Sequence, residues 1–177
     1  MKNDPSHDVL READGLGHEA RAGHEDHAML KLWLRMLAST TQIEAEIRRR
    51  LRERFGISLA RFDYMAQLYR VKGGMKMSEL SQLLMVTGGN VTGLTDELAR
   101  EGVVVRASDP ADRRAWIVRL TAKGRRSFEA MAREHERWIL ELFAGLDSAA
   151  VRQLHVQLGR LRVHLVRNEQ RSEAALP

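Results

Sequence analysis

The stretch Ser78-Glu79-Leu80-Ser81-Gln82-Leu83-Leu84, Met85-Val86-Thr87, Gly88-Gly89-Asn90-Val91-Thr92-Gly93-Leu94-Thr95-Asp96-Glu97-Leu98-Ala99-Arg100 reads as a short helix, a tight turn and a second helix. Leu80, Leu83 and Leu84 share one helical face. Thr87 is placed to cap the second helix by accepting from a backbone N–H two or three residues on, and Gly102 suits the position just past its end. At about 100° per residue Val91, Leu94 and Leu98 fall together and face the core. Gly89, Gly93, Asp96 and Arg100 then point outward, flanked by Asn90, Thr92 and Glu97. Val103–Arg106, a loop over Ala107–Arg114 and a strand over Ala115–Leu120 follow as a hairpin with a basic tip. This order is the sequence form of a winged helix-turn-helix. The fold class expected is mainly α with a small β-wing and a helical dimerisation region.

Two glycines on an exposed helix face cost about 1 kcal/mol each against alanine. Their missing side chains let the backbone approach another surface, and a DNA major groove is such a surface. Asn90 carries the donor–acceptor pair that matches an adenine edge, and Thr92 suits a thymine methyl or a phosphate. Gly88, Gly89 and the free N–H groups of the first turn suit a phosphate. The hairpin holds Arg106, Arg113, Arg114 and Arg119 against only Asp109 and Asp112. An arginine at its tip fits a narrow minor groove, while Asp109 and Asp112 hold and orient the arginines. The residues expected to bind DNA are Thr87, Gly88, Gly89, Asn90, Thr92, Gly93, Asp96, Arg100, Arg113 and Arg114, with Asp109 and Asp112 supporting the wing. The partner is a double-stranded operator. A winged helix used only as a protein-interaction scaffold is the alternative, because the fold alone does not prove DNA binding.

Three long helical patterns surround this core. The first, from about Asp26 to Arg54, carries Leu30, Trp33, Leu34, Leu37, Ile43, Ile47 and Leu51 and ends at Phe55-Gly56. A shorter helix follows Ser58, with Phe62, Met65, Leu68 and Tyr69 on its apolar side, and stops at Gly73-Gly74. After the cap Thr121 come Phe128, Met131, His135, Trp138 and Leu142. Gly145-Leu146-Asp147 breaks that helix, and the last one repeats the spacing with Val151, Leu154, Leu158, Leu161 and Leu165. These stripes exceed what one small domain needs to cover and read as a homodimer interface. The expected division is a disordered tail over 1–26, a first dimerisation helix over 27–57, the winged helix-turn-helix over 58–120, dimerisation helices over 121–170 and a tail over 171–177.

Composition agrees. The formal charge is +5, but the first 26 residues carry three basic and seven acidic groups, net −4, which leaves +9 on the rest. A basic body suits a polyanion. There is no cysteine, so disulfides and thiol redox sensing are excluded. No apolar run is long enough to span a membrane and no signal peptide is visible, which predicts a cytoplasmic protein. His18, His24 and His27 share no helical register, so no metal site and no cofactor are expected. No nucleophile elbow, phosphate loop or His-Glu-x-x-His is present, and the chain does not read as an enzyme.

The run from Ser78 through Gly124, with Thr87-Gly88-Gly89-Asn90-Val91-Thr92, Asp109-Pro110-Ala111-Asp112-Arg113-Arg114 and Leu120-Thr121-Ala122-Lys123-Gly124, resembles the multiple-antibiotic-resistance regulator (MarR) family. The resemblance runs roughly from Leu30 to Leu165. It implies a homodimeric winged-helix repressor that binds pseudo-palindromic DNA and releases it when a small aromatic ligand binds. It also implies that Arg113 enters the minor groove, supported by Asp112 and Arg114. Many relatives have a basic residue where Gly93 stands, so base readout here leans on other positions. The Leu-Trp-Leu-Arg-Met start and the Val-Thr-Gly-Gly-Asn-Val-Thr-Gly helix look like regulators of aromatic-acid catabolism, some of which respond to aryl-CoA thioesters of the hydroxycinnamoyl type. A free phenolic acid is the other effector considered. The pocket the resemblance implies would be lined by Trp33, Arg35, Met36, Leu37, Phe62, Asp63, Tyr64 and Met65.

Overall fold

The computed structural model describes residues 28–84, 88–108 and 116–174. The expectations for the tail over 1–26, for Thr87 as a cap and for Asp109, Asp112, Arg113 and Arg114 in the wing loop fall outside these residues. In chain order the elements are α1 (Ala28–Phe55), α2 (Leu59–Arg70), β1 (Met75–Lys76), α3 (Met77–Leu84), α4 (Gly88–Arg100), β2 (Val104–Ser108), β3 (Trp116–Leu120), α5 (Ala122–Leu142) and α6 (Ser148–Ala174). The strands form one antiparallel sheet in the order β1-β3-β2. The chain divides within α5 into two compact units, up to His135 and from Glu136.

Local chemistry sets the boundaries. The Ser58 side chain accepts from the Arg61 N–H and starts α2. Gly56 (φ 66°) and Gly102 (φ 69°) take the left-handed conformation that follows α1 and α4. Thr121 Oγ1 accepts from the Gly124 N–H at 3.0 Å and caps α5. Asp147 Oδ1 accepts from Ala149 and Ala150 and caps α6.

Three readings are corrected. First, β1 was missed. Gly73-Gly74 does not simply end a helix: α2 stops at Arg70, and Gly74 (φ 90°) brings Met75 and Lys76 onto β3 opposite Val118 and Ile117. A Cβ on Gly74 would lie 2.6 Å from the Val118 carbonyl oxygen, so only glycine allows that approach. Second, Ala107 and Ser108 were read as loop but extend β2, paired with Ile117 and Trp116. Third, α6 continues past residue 170 to Ala174, because Arg171-Ser172-Glu173-Ala174 holds no glycine or proline to stop it.

The core of the first unit gathers Ile47 and Leu51 of α1, Phe62, Tyr64, Met65 and Leu68 of α2, Leu80, Val91, Leu98, Val118, Leu120, Phe128 and Met131. Each fully buried leucine contributes about 1.5–3 kcal/mol. The apolar stripe of α1 is covered only in its last turns, since Leu30, Trp33 and Leu37 are exposed. In α6 every described residue from 151 through 171 is exposed. Among the described residues no helix is long and apolar enough to cross a membrane.

Candidate nucleic-acid interface

Helix α4 buries Val91, Thr95 and Leu98 and leaves Gly89, Asn90, Thr92, Gly93, Asp96, Glu97 and Arg100 exposed. Leu94 is half-buried, and Thr95, which the sequence reading did not single out, takes part in the buried face. A Cβ added at Gly89 or Gly93 would meet nothing within 4 Å, so no packing inside the protein requires glycine at either position.

The helix is held on three sides. From α2, the Tyr64 hydroxyl lies 2.6 Å from Thr95 Oγ1, and Thr95 donates to the Val91 carbonyl at 2.6 Å. With the threonine hydrogen committed, the tyrosine is the donor. Burial pushes the Tyr64 phenol above its usual range, which keeps it protonated for that role. Also from α2, Arg61 pairs with Glu101 and donates to Glu97 at 3.1 Å with its side chain only 15% exposed. From β2, Arg106 Nη2 pairs with Asp96 and reaches the Thr92 carbonyl at 3.5 Å. Asp96, expected on the DNA face, therefore has a partner within the protein and orients Arg106.

The Leu-Thr-x-Lys-Gly run closes the far end of the helix. Lys123 Nζ donates to the Glu101 carbonyl at 2.8 Å, Thr121 Oγ1 to the Gly102 carbonyl at 2.7 Å, and the Thr121 N–H to the Val103 carbonyl at 3.0 Å. These bonds fix the turn just past the helix, whose own last carbonyls accept from the backbone N–H groups of Glu101, Gly102 and Val103. A Cβ on Gly124 would stand 2.0 Å from the Val103 carbonyl oxygen, which explains the glycine in that run.

Beside α4 lies a cleft of about 690 Å³ lined by Glu44, Arg48 and Arg52 of α1, Ser58, Leu59, Ala60 and Asp63 of α2, Leu84, and Gly89, Asn90, Val91, Gly93 and Leu94. Of the eight residues expected around an effector, only Asp63 lines it. Trp33 is 56% exposed and Leu37 is exposed, Arg35 and Met36 are half-buried, and Phe62, Tyr64 and Met65 are core. Phe62 turns inward instead, packing on Phe128 (5.4 Å between centroids) and stacking on His135 (4.9 Å). Burial holds the His135 imidazole below its usual range.

The cleft's own polar groups were the ones composition could not rank. Arg48 pairs with Glu44. Arg52 makes no ion pair among the described residues. Asp63 has no donor among the described residues, and burial first, then the Glu44 charge, push its carboxyl above the usual range. One turn along α1, hydrogen bonds from Arg49 and Arg50 hold Glu46 down at about 2. Among the described residues no cluster of His, Asp and Glu could hold a metal ion.

Comparison with known proteins falls on the same elements. The model for the MarR family matches residues 55–115, from the end of α1 into the wing. The chain is 32% identical over 109 residues to YkoM of Bacillus subtilis (strain 168), described as an uncharacterized HTH-type transcriptional regulator, covering 62% of this chain and 70% of YkoM. It is 39% identical over 62 residues to the transcriptional activatory protein BadR of Rhodopseudomonas palustris, 35% of either chain. The crystal structure of a MarR family transcriptional regulator from Silicibacter pomeroyi superposes with a TM-score of 0.64 at 29% identity, over 93% of this chain and 99% of that one. The likeness in sequence and the likeness in fold meet on the two helices and the sheet that present α4, and the chain belongs to the MarR family of transcriptional regulators.

Proposed function

We propose that this chain is a homodimeric, ligand-released repressor that lays α4 in the major groove of a pseudo-palindromic operator and reaches the flanking minor groove with Arg113. The observation that carries the reading is the exposed face of α4: Gly89 and Gly93 leave open space beside Asn90 and Thr92, on a helix whose opposite face is anchored in the core. Gly88, Arg100 and Arg114 complete the contact set, and Thr87, Asp109 and Asp112 shape its edges. A gel-shift against the DNA upstream of the chain's own coding sequence tests it. A shift that a random duplex of equal length competes away at equal concentration rejects operator recognition.

The dimer reading is supported by α6, where Leu154, Leu158, Leu161 and Leu165 are exposed at alternating spacings of four and three. A helix-turn-helix dimer reads two half-sites about 34–36 Å apart. The effector reading rests on the cleft. Leu59, Ala60, Leu84, Val91 and Leu94 give it apolar walls, and Arg52 and Asp63, neither paired among the described residues, offer a cation and an acceptor. That set suits a hydroxylated aromatic acyl group, and the cleft's size falls in the usual range for small-molecule sites, about 300–1,000 Å³. Gly89, Asn90 and Gly93 both line the cleft and belong to the exposed face of α4, so an occupant would compete with DNA for one surface. We take the ligand to be an aryl-CoA thioester, its ring in the cleft and its phosphates on arginines. Titrating the operator complex with matched acid and thioester pairs at fixed salt tests this, salt being fixed because DNA affinity is itself salt-dependent. Release by the free acid at equal or lower concentration makes the chain a phenolic-acid sensor.

Activation in place of repression is the second reading, favoured by the printed name of BadR. Transcript levels from the bound promoter, with and without the gene, separate the two: loss of the gene raises them for a repressor and lowers them for an activator.

A further inference from the structure

Alternation along the hairpin places Trp116 on a particular face. Residues opposite one another in an antiparallel pair point the same way. Val104 pairs with Leu120, Arg106 with Val118 and Ser108 with Trp116. Val104, Val118 and Leu120 are buried, so Arg106, Ser108 and Trp116 share the inner face.

That face is turned toward α4, because Arg106 reaches Asp96 and the Thr92 carbonyl. Direction follows as well. The Val103 N–H bonds the Leu98 carbonyl near the end of α4, and Arg106 bonds Thr92 and Asp96 further back. Strand β2 therefore runs back along the helix toward its N-terminal half, where Gly89, Asn90 and Gly93 are exposed. Trp116 continues the inner face beyond Arg106 and is 51% exposed.

A single exposed apolar side chain is ordinary. Here the largest side chain of all stands uncovered on the face that β2 and β3 turn toward α4, beyond Arg106. Arg119, on the outer face of the same strand, adds positive charge.

We propose that Trp116 is a DNA-contacting residue whose indole seats against the sugar-phosphate backbone between the groove entered by α4 and the groove reached by the wing. The ring supplies an apolar face for deoxyribose and an N–H donor for a phosphate oxygen, neither of which carries sequence information. The continuity of this face with α4, Arg106 on the same face and Arg119 on the other side of the strand commit the occupant to a polyanion rather than to a second apolar surface. The proposal rests on the DNA-binding reading above.

Fluorine NMR of the full chain labelled with fluorotryptophan tests it. The three tryptophans, Trp33, Trp116 and Trp138, give three resonances, each assigned by its own replacement with phenylalanine. The Trp116 resonance is expected to shift or broaden on addition of the upstream duplex, and of a random duplex at low salt. Trp116→Ala should weaken both duplexes by about ten-fold, the scale of one lost aromatic contact, and Trp116→Phe should recover most of it on both. An unmoved Trp116 resonance overturns the proposal even if Trp116→Ala binds less well, since the residue would then only shape the wing. Wild-type affinity in Trp116→Ala overturns it too. A wild-type chain that shifts no duplex rejects the DNA-binding reading itself, a different failure from either.

Discussion

Helix α4 and helix α6 solve opposite problems. The buried face of α4 is completed within one chain: Tyr64 holds Thr95, Arg61 holds Glu97 and Glu101, Arg106 holds Asp96, and Lys123 and Thr121 close its C-terminal end. Helix α6 also carries an apolar stripe, yet its Val151, Leu154, Leu158, Leu161 and Leu165 are all exposed. A contiguous apolar face of this length marks an interaction surface. One helix is finished by its own protomer so that it can present a fixed polar face. The other, under the proposed dimer, is finished by a second copy of the chain.

The largest effect should come from the unfinished helix. Leu158→Glu with Leu161→Glu places charges in the apolar stripe, and a buried unpaired charge costs several kcal/mol. Under the proposed dimer the double variant should sediment as a monomer and lose operator affinity by at least 100-fold, one half-site being left per particle. Its helical signal should stay close to wild type at low concentration. A double variant that keeps the wild-type mass and affinity would remove α6 from the interface.

The finished helix is sharpened next. Gly124→Val forces a side chain against the Val103 carbonyl, where even the Cβ would stand 2.0 Å from the oxygen. Backbone cannot give there without disturbing the turn that follows α4, so the loss should be about 1–3 kcal/mol, the usual range for overpacking. Thermal unfolding measures it, and an unchanged midpoint would mean that the close approach is not maintained in solution.

Both lessons bear on what the sequence could tell. Periodicity located α1 through α6, and several of their boundaries are local events: Ser58, Thr121 and Asp147 cap in place, and Gly56 and Gly102 turn the chain in place, while the end of α6 had no such signal. Strand β1 escaped because two residues carry no period. Its signal was Gly74, whose need for glycine is set by Val118, 44 positions away, and not by its neighbours. The exposed face of α4 was legible for the same local reason as the helix itself. The cleft was not. Trp33 and Phe62 were natural pocket walls by residue type, but Phe62 is spent on Phe128 and His135, and the walls are Leu59, Ala60, Leu84 and Leu94. Which apolar residues are left over after the core is packed is a tertiary outcome.

A smaller effect tests whether the ties on α4 matter to binding. Arg61 balances Glu97 of α4 and Glu101 just past its end, on the helix proposed to face DNA, and Glu101 is held below its usual range chiefly by the hydrogen bond from Arg61. Both acids are substantially exposed, so the pair itself is worth only about 0.5–1 kcal/mol. Arg61→Ala should lower duplex affinity by several-fold through the freed charges. Glu101→Gln in the same chain should restore most of it, and should flatten the difference as salt rises. A loss that Glu101→Gln does not relieve would place the cause in the angle of α4 rather than in its charge.

Asp63 is the exception within the finished region, and it gives the smallest effect. Its carboxyl lines the cleft without a donor, and burial together with Glu44 raises it above its ordinary 3.8. The folded state thus binds the proton more tightly than the unfolded chain, so the ionised form costs stability. That cost is fully present above the folded value and disappears below 3.8, where both states are protonated. Asp63→Asn should accordingly raise the unfolding midpoint at neutral pH by a few degrees at most, with the gain shrinking to nothing as pH falls through the carboxylate range. A cleft residue that is kept at the expense of stability is expected to serve a ligand. The same variant should therefore bind a hydroxylated effector less well while it melts later, and a midpoint that falls at neutral pH would show that Asp63 has a structural partner in solution.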